Sequence, residues 1–202
     1  MARISKFSLF GNSCVGKTTV MHYAFSELKL AKHRVGAVAD LARRVVFPPN
    51  MFDKSPEARL HVLFAQLASE TELVVRKDVE VLLSERCVLD WWLHYQWTCR
   101  SIGVPMNKSV ESLVGEWLGT YSVIYYLPED EIELVDDGYR GPNSLRQALS
   151  PMYKAAAEYS KSFGNIVLVD ARSFEDRCTF VAAHMLKTLG SSAAQEKTDA
   201  LT

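Results

Sequence analysis

The first absence in this sequence is a long hydrophobic segment. No uninterrupted apolar run reaches about 18 residues, so we expect no membrane-spanning helix. The N-terminus enters a strand pattern directly and lacks a signal peptide's apolar core, which predicts a cytoplasmic location. An excess of one charge is also missing: the net charge is −1, which argues against a broad basic surface for nucleic acid but stays compatible with a local groove.

Cysteine is the second scarcity. The four cysteines are scattered and lack the spacing of metal ligands: Cys14, Cys87, Cys99 and Cys178. We therefore expect reduced thiols rather than disulfides or a metal centre. Repeats and dividing linkers are absent too, so the 202 residues predict one domain. We place this domain at 1–189 and expect the small, polar tail at 190–202 to be disordered.

What the sequence does contain is an alternation of short apolar runs and longer helical patterns. The predicted strands are 4–10, 34–39, 87–90, 121–127 and 165–170. The predicted helices are 17–31, 55–85, one beginning at Trp91, 109–119, 144–162 and 174–188. Because each strand is a short continuous apolar run, the pattern favours a parallel five-stranded sheet with helices on both faces, which is an α/β domain.

One motif carries most of the functional information. Residues 11–18 match G-x-x-x-x-G-K-[ST] in full, between a predicted strand and a predicted helix. In this motif backbone N–H groups turn toward phosphates, Lys17 neutralises their charge, and the Thr18 hydroxyl is placed to bind Mg²⁺. It predicts a three-layer P-loop NTPase fold with ATP and Mg²⁺ as cofactors. The predicted nucleotide-binding residues are Gly11, Asn12, Ser13, Cys14, Val15, Gly16, Lys17, Thr18 and Thr19.

A P-loop indicates a nucleotide and leaves the reaction open. The sequence has no N-K-x-D guanine signature, which lowers the case for a GTPase. It also has no long acidic strand ending in a pair of carboxylates, as a hydrolysing ATPase usually shows. Together with the small size, these absences favour a small kinase.

Two carboxylates at predicted strand ends are the catalytic candidates, because open parallel sheets bind ligands beyond the carboxyl ends of their strands. Asp40 ends the second predicted strand and Asp90 the third. We assign Asp40 as the base that orients the acceptor hydroxyl and Asp90 as the acid on the Mg²⁺ side, and the two roles could be exchanged. The alternative for each is a helix N-cap.

Two further segments carry a resemblance. The segment "ADLARR" supplies Asp40 and Arg43, and "LVDDGYRGPNSLRQAL" follows a predicted strand that ends in "YLP". With the P-loop, they resemble P-loop kinases of the ribosylnicotinamide-kinase-like and thymidylate-kinase-like groups, over residues 6 to 146. The resemblance implies that Arg43 lies at the substrate, and that a lid at about 128–147 closes Arg140 and Arg146 over the transferring phosphoryl group.

One departure from that resemblance concerns the acceptor. Nucleoside and thymidylate kinases usually follow the third-strand Asp with Arg, whereas Asp90 is followed by Trp91 and Trp92. The aromatic cluster of Trp91, Trp92, Tyr95 and Trp97 could stack a nucleobase or pack in the core. Gln66 could read a base edge or be a partly exposed polar residue of its helix. We place Gln66 and Trp91, with Arg43, at the acceptor.

Several acceptors stay open. A nucleoside monophosphate, or the hydroxymethyl group of a modified pyrimidine that is free or within DNA, ranks slightly above free ribosylnicotinamide. A different class is a regulatory switch that hydrolyses ATP slowly without an acceptor. The expected partners are therefore a nucleotide-type substrate and possibly modified DNA, with no membrane; the oligomeric state is open, and a dimer is compatible with the sequence.

Overall fold

The chain is described here as a computed structural model, covering residues 4–44, 51, 54–76, 78–129, 143–160, 165–171 and 173–199. Five strands form a single parallel sheet: β1 (Ser5–Phe10), β2 (Val35–Val38), β3 (Val81–Ser84), β4 (Val123–Tyr126) and β5 (Ile166–Leu168). Their order across the sheet is β2-β3-β1-β4-β5. The α/β fold with a five-stranded parallel sheet is confirmed.

Within the described residues, six α-helices connect and cover the strands: α1 (Lys17–Leu30), α2 (Pro56–Val75), α3 (Val88–Ile102), α4 (Lys108–Leu118), α5 (Asn143–Ser160) and α6 (Phe174–Asp199). A 3₁₀ turn, Leu41–Arg43, follows β2. The predicted start of the long helix is confirmed, because the Ser55 hydroxyl accepts the backbone N–H of Ala58 at 3.1 Å and Pro56 occupies the first turn.

The sheet separates two hydrophobic cores. On one face α1 and α6 pack over Phe7, Leu9 and Leu83. On the other face α2, α3, α4 and α5 enclose Phe10 and Leu82. The alternation of β1 side chains between these cores is the pattern of a strand buried on both sides. The three-layer prediction is therefore confirmed.

The third strand lies where a helix was predicted. Helix α2 ends at Val75 and β3 occupies Val81–Ser84, whereas residues 88–90, predicted as strand, form the first turn of α3. The Cys87 sulfur accepts the N–H of Leu89 at 3.2 Å, and the Asp90 carboxylate accepts the N–H of Cys87 at 3.0 Å. This reciprocal cap starts a helix. Asp90 is consequently a helix-cap residue and does not end a strand.

The tail also differs from the prediction. Helix α6 continues to Asp199 and so includes residues 190–199, which we expected to be disordered. The segment after Gly190 is rich in alanine and in charged and amide residues that favour helix, and this preference outweighs the single glycine. The predicted lid overlaps residues 130–142, which lie outside the described residues, as do Pro48 and Pro49.

The remaining expectations concern disulfides, membrane-spanning helices and metal-binding groups. None of the four cysteines forms a disulfide bond. Within the described ranges, no helix is both long enough and apolar enough to cross a bilayer. In that same part of the chain, no three or more His, Cys, Asp or Glu side chains converge as a group that could hold a metal ion on their own.

Candidate active site

The predicted phosphate loop connects β1 to α1 at the carboxyl edge of the sheet, and its backbone requires glycine at two positions. Gly11 has φ 154°, and a Cβ there would lie 2.6 Å from the carbonyl oxygen of Leu127. Gly16 has φ 86°, and a Cβ there would lie 2.4 Å from the Phe174 ring. Larger residues would displace neighbouring strands or α6, so both glycines preserve the curvature of the loop.

Polar contacts from outside the loop hold its shape. The Asn12 side-chain amide donates to the Glu129 carboxylate at 2.7 Å and to the carbonyl of Arg146 at 2.8 Å. The Asn12 side-chain oxygen Oδ1 accepts the Ser13 N–H at 2.8 Å. Asn12 therefore ties the loop to Glu129 and Arg146, and both hydrogens of its side-chain amide are used.

Lys17 lies over its own loop. Its ammonium donates to the carbonyls of Gly11 and Asn12, both at 2.6 Å, and the residue is only 6% exposed. Burial, and then the charge of Arg86, lower the pKa of Lys17 to about 7, against the opposing influence of Asp90 and Asp40. A phosphate group would supply the negative charge that Lys17 needs in order to stay protonated.

Thr18 and Glu85 form the point where a metal ion fits. The exposed Thr18 hydroxyl donates to one carboxylate oxygen of Glu85, which directly follows β3. A hydroxyl and a carboxylate side by side, next to a phosphate loop, suit Mg²⁺, which usually takes few protein ligands and completes its shell with phosphate oxygens and water. The residues present therefore fit Mg²⁺·ATP, and the carboxylate that Thr18 contacts is Glu85, not Asp90.

Asp40 lies beside this pair at the end of β2. Its backbone N–H donates to the second carboxylate oxygen of Glu85 at 3.0 Å. Its own carboxylate caps the 3₁₀ turn through the N–H of Ala42 at 3.1 Å and accepts Arg86 Nε at 3.1 Å. Burial raises the pKa of Asp40, but the charge and hydrogen bond of Arg86 outweigh it and leave that pKa below its usual value. Asp40 is therefore ionised, and it is both a cap and a site carboxylate.

Asp90 has a different position from the one predicted. It is fully buried, and its carboxylate accepts Cys87 N–H, Gly11 N–H at 3.4 Å and the Tyr153 hydroxyl at 3.1 Å. Burial raises the pKa of Asp90 despite the opposing charges of Arg86 and Lys17. These contacts join α3, α5 and the phosphate loop. Asp90 thus helps to hold the phosphate loop in position through Gly11.

Arg86 is the residue that the sequence interpretation missed. It follows the carboxylate that ends the third strand, it pairs with Asp40, and its second nitrogen lies 3.5 Å from Asp90. The sequence analysis took Asp90 as the acid of the third strand and found no arginine after it, and this interpretation was wrong. The pair is Glu85-Arg86, and it was overlooked because the strand was placed six residues too late.

The predicted arginines have three different outcomes. Arg146 lies at the loop, where its Nε donates to the carbonyl of Ser13 at 3.2 Å and lies 3.8 Å from the Glu129 carboxylate. Arg43 is half-exposed, with its Nε 3.9 Å from Asp40. Arg140 lies outside the described residues. The structure therefore brings Arg146 and Arg43 to the same edge of the sheet as the phosphate loop.

A second missed arginine supports the loop. Arg177 of α6 is fully buried, and its guanidinium donates to the carbonyls of Val15 at 3.0 Å, Ala171 at 2.9 Å and Pro128 at 3.3 Å. These carbonyls belong to the segments after β1, β5 and β4. One fork-shaped cation thus ties three loops at the carboxyl edge. Arg177 lies one turn inside the last helix and belongs to no sequence motif that could have indicated this role.

Gln66 is fully buried, not partly exposed. Its amide nitrogen donates to Glu70 at 2.7 Å and to the carbonyl of Arg86 at 2.9 Å. Because both hydrogens of the amide are used, only its oxygen is left, and this oxygen has no hydrogen-bond partner among the described residues. Gln66 could therefore accept a hydrogen bond from a ligand but could not donate one.

The aromatic cluster belongs to the core. Trp92 and Tyr95 are buried and pack against each other, with ring centroids 5.4 Å apart, and Trp97 packs on the outside of the same core. Trp91 is buried in the same core, and the Arg86 guanidinium lies over its ring, 5.1 Å from the centroid. The cluster is mostly core, and Trp91 has one ring face covered by Arg86.

Comparison with known proteins supports the fold. No protein-family model and no curated protein matches the sequence. A deoxyadenosine kinase from M. mycoides, solved with bound dATP, is 11% identical with a TM-score of 0.59, covering 90% of this chain and 98% of that one. The NadR protein, solved in complex with NR, is 14% identical with a TM-score of 0.67 over 93% of this chain; the match spans about half (52%) of NadR. The chain therefore has a P-loop nucleoside kinase-like fold.

Proposed function

We propose that this protein is an ATP-dependent kinase that transfers the γ-phosphoryl group to a nucleotide-type acceptor. One observation carries the proposal. The carboxylate of Glu85 contacts both the Thr18 hydroxyl of the phosphate loop and the backbone N–H of Asp40. It thereby joins the nucleotide loop to a second carboxylate at the adjacent strand end, where an acceptor hydroxyl would have to lie.

On the nucleotide side, each group has a definable task. Backbone N–H groups of the loop and the ammonium of Lys17 would bind the phosphates, and Thr18 with Glu85 would hold Mg²⁺. When bound, the ion neutralises charge on the phosphate oxygens during transfer. Lys17 would exchange its contacts with the carbonyls of Gly11 and Asn12 for phosphate oxygens. Arg146, already at Ser13, would add a planar cation over the loop.

On the acceptor side, Asp40 would orient the hydroxyl and accept its proton. A carboxylate kept ionised by Arg86 is always available as an acceptor, and positioning contributes more to phosphoryl transfer than base strength does. Arg86 lies between Asp40 and Asp90, and its positive charge offsets their repulsion of an incoming phosphate. The resemblance that places Arg140 on a lid over the phosphoryl group stays part of this proposal.

Two observations favour a small acceptor over a polymer. The fold is shared with a deoxyadenosine kinase and with a protein solved with NR, which supports a nucleoside-sized acceptor. Burial of Trp92 and Tyr95 within the core also favours a small molecule over a base flipped from DNA, because neither ring is available for stacking. Phosphorylation of a nucleoside hydroxyl or of a hydroxymethylpyrimidine uses the same Asp40 geometry.

The test is transfer of label from γ-radiolabelled ATP to a panel of acceptors. The panel holds nucleosides, nucleoside monophosphates, ribosylnicotinamide, hydroxymethylpyrimidine nucleotides, and single- and double-stranded DNA with and without hydroxymethylpyrimidines. We expect label on a small acceptor and little phosphate release without one. Label on DNA alone would move the acceptor to a polymer, and equal phosphate release with and without every acceptor would establish the regulatory switch in place of the kinase.

A further inference from the structure

Buried polar atoms without partners are concentrated on one helix, α3. Within the described part of the chain, four such side-chain atoms have no hydrogen-bond partner: Gln66 Oε1, Trp91 Nε1, His94 Nδ1 and His94 Nε2. Three of the four belong to Trp91 and His94, which are three residues apart and so lie on one face of α3. Buried polar groups are normally paired, so unpaired ones close together call for a partner such as an ordered water, an ion or a ligand.

The two side chains are connected to Asp40 through Arg86. Asp40 pairs with Arg86 at 3.1 Å, the Arg86 guanidinium covers one face of Trp91, and the Trp91 and His94 ring centroids are 6.1 Å apart. Tyr153 of α5 lies on the other side of His94, edge-on with ring centroids 6.4 Å apart.

The charges around His94 restrict what can bind there. Burial, and then the positive charges of Arg59, Arg86 and Lys17, hold the pKa of His94 well below its ordinary value, so the ring is neutral. Arg59 is itself buried, with its Nε 3.3 Å from the Thr98 hydroxyl. The same burial, the main cause of this shift, would disfavour a cationic ring placed beside His94, because a cation loses its hydration there.

We propose that Trp91 Nε1 and the ring nitrogens of His94 read the edge of a neutral nucleobase and reject a cationic one. This inference rests on the proposed function, and it refines the acceptor to a neutral nucleoside or nucleotide. The indole N–H offers a donor, and the neutral imidazole offers one donor and one acceptor. A matching nucleobase would place a hydrogen-bond acceptor at Trp91 and a donor or an acceptor at His94. The amide-like edges of nucleobases carry such groups side by side. Trp91 thus contributes an edge contact rather than a stacking surface.

The first experiment is equilibrium binding of nucleosides to the full chain by calorimetry, without ATP, so that it does not depend on turnover. The bases in the panel differ in their hydrogen-bonding edges. We expect His94→Phe and Trp91→Phe each to weaken binding of the preferred nucleoside by about tenfold or more, because each removes a buried hydrogen bond. His94→Gln, which keeps a neutral donor and acceptor, should retain part of the affinity.

Two controls separate recognition from packing. Trp97→Phe, on the outer side of the same helix, should leave nucleoside affinity unchanged. The unfolding midpoint of the unliganded His94→Phe protein should be equal to or above that of the wild type, because no hydrogen bond within the described residues is lost. A lower midpoint together with unchanged nucleoside affinity would show His94 to be a packing residue and would overturn the proposal.

The second experiment tests ring charge with a matched pair of ligands. Ribosylnicotinamide has a cationic ring, and its dihydro form has nearly the same shape and a neutral ring. We expect the neutral form to bind at least about tenfold more tightly to the wild-type protein. Equal binding, or tighter binding of the cation, would overturn the proposal.

The outcomes also distinguish this inference from the proposed function. If label is transferred to an acceptor but the Trp91 and His94 variants bind that acceptor as the wild type does, the kinase stands and the recognition pair fails. If nucleosides bind in a His94-dependent manner but no acceptor is phosphorylated, the recognition pair stands and the kinase fails.

Discussion

Two clusters of buried charge lie close together in this molecule, and they differ in how fully they are paired. In the Glu70 cluster, the carboxylate of Glu70 accepts hydrogen bonds from Tyr121 at 2.6 Å and Trp117 at 2.9 Å, and Lys6 lies 2.8 Å away. The Lys6 ammonium also lies 4.5 Å from the centroids of both aromatic rings. The partners enclose this carboxylate completely, which leaves no room for a ligand.

The Asp40 cluster is formed by Asp40, Glu85, Arg86 and Thr18. Here Glu85 meets an exposed hydroxyl, and Lys17 above it contacts only carbonyl oxygens with its ammonium among the described residues. Phosphate and Mg²⁺ could replace these contacts, whereas nothing could replace the partners of Glu70 without loss. Buried charge by itself therefore does not indicate a catalytic site; capacity left for a ligand does.

The largest expected effect is on turnover. Asp40→Asn keeps the shape of the side chain but removes the charge that accepts the hydroxyl proton, so we expect kcat to fall by about 10² to 10⁴-fold. The measurement is label transfer to the best acceptor of the panel. Asp78→Asn is the matched control, because Asp78 is exposed and pairs with Arg76 on the surface. A loss of less than about tenfold would remove Asp40 from its catalytic role.

The second effect is on stability and comes from the Glu70 cluster. Glu70→Leu leaves the buried Lys6 ammonium without its carboxylate, so we expect the free energy of unfolding to fall by about 3–5 kcal/mol. Urea denaturation measures this change. Lys6→Met combined with Glu70→Leu should recover part of the loss, since no buried charge is then left unpaired, although Tyr121 and Trp117 still lack their acceptor. A double variant as unstable as the single one would contradict the pairing argument.

The third effect is on metal dependence. Thr18→Val removes the hydroxyl beside Glu85, and we expect the Mg²⁺ concentration for half-maximal activity to rise at least about tenfold. Titration of activity with Mg²⁺ at fixed ATP measures it. Thr18→Ser, which keeps the hydroxyl, should behave like the wild type. An unchanged Mg²⁺ requirement in Thr18→Val would place the metal elsewhere.

The smallest expected effect is on the number of protons taken up when ATP binds. Because the pKa of Lys17 is about 7 in the free protein, the side chain is mostly neutral at pH 8. The negative phosphates of ATP raise that pKa, so binding should take up roughly one proton at pH 8 and less at pH 6, where Lys17 is already protonated. Calorimetry in buffers of different ionisation enthalpy measures the uptake. Lys17→Met should abolish this pH-dependent uptake, with Lys32→Met, on the surface, as control.

The local motifs could be predicted because each is defined by neighbouring residues. The phosphate loop, the start of α2 at Ser55 and the carboxylate after β2 depend on glycine conformation, capping and strand length, all of which act over a few positions. The third strand could not, because the helical pattern of α2 runs into β3 without a glycine or proline between them. Only the pairing of Val81 with Ser5 on one side and Val35 on the other selects strand over helix there.

The sequence by itself determined that this chain is an α/β domain with a P-loop and that Asp40 follows a strand, since these properties follow from short-range geometry and hydrophobic pattern. Tertiary structure alone decided that Glu85 meets Thr18, that Arg86 joins Asp40 to Asp90, and that Arg177 ties three loops together. Those contacts join residues up to 162 positions apart. Such proximity is created by strand order and helix packing, which bring distant segments to one edge of the sheet and leave no local signal.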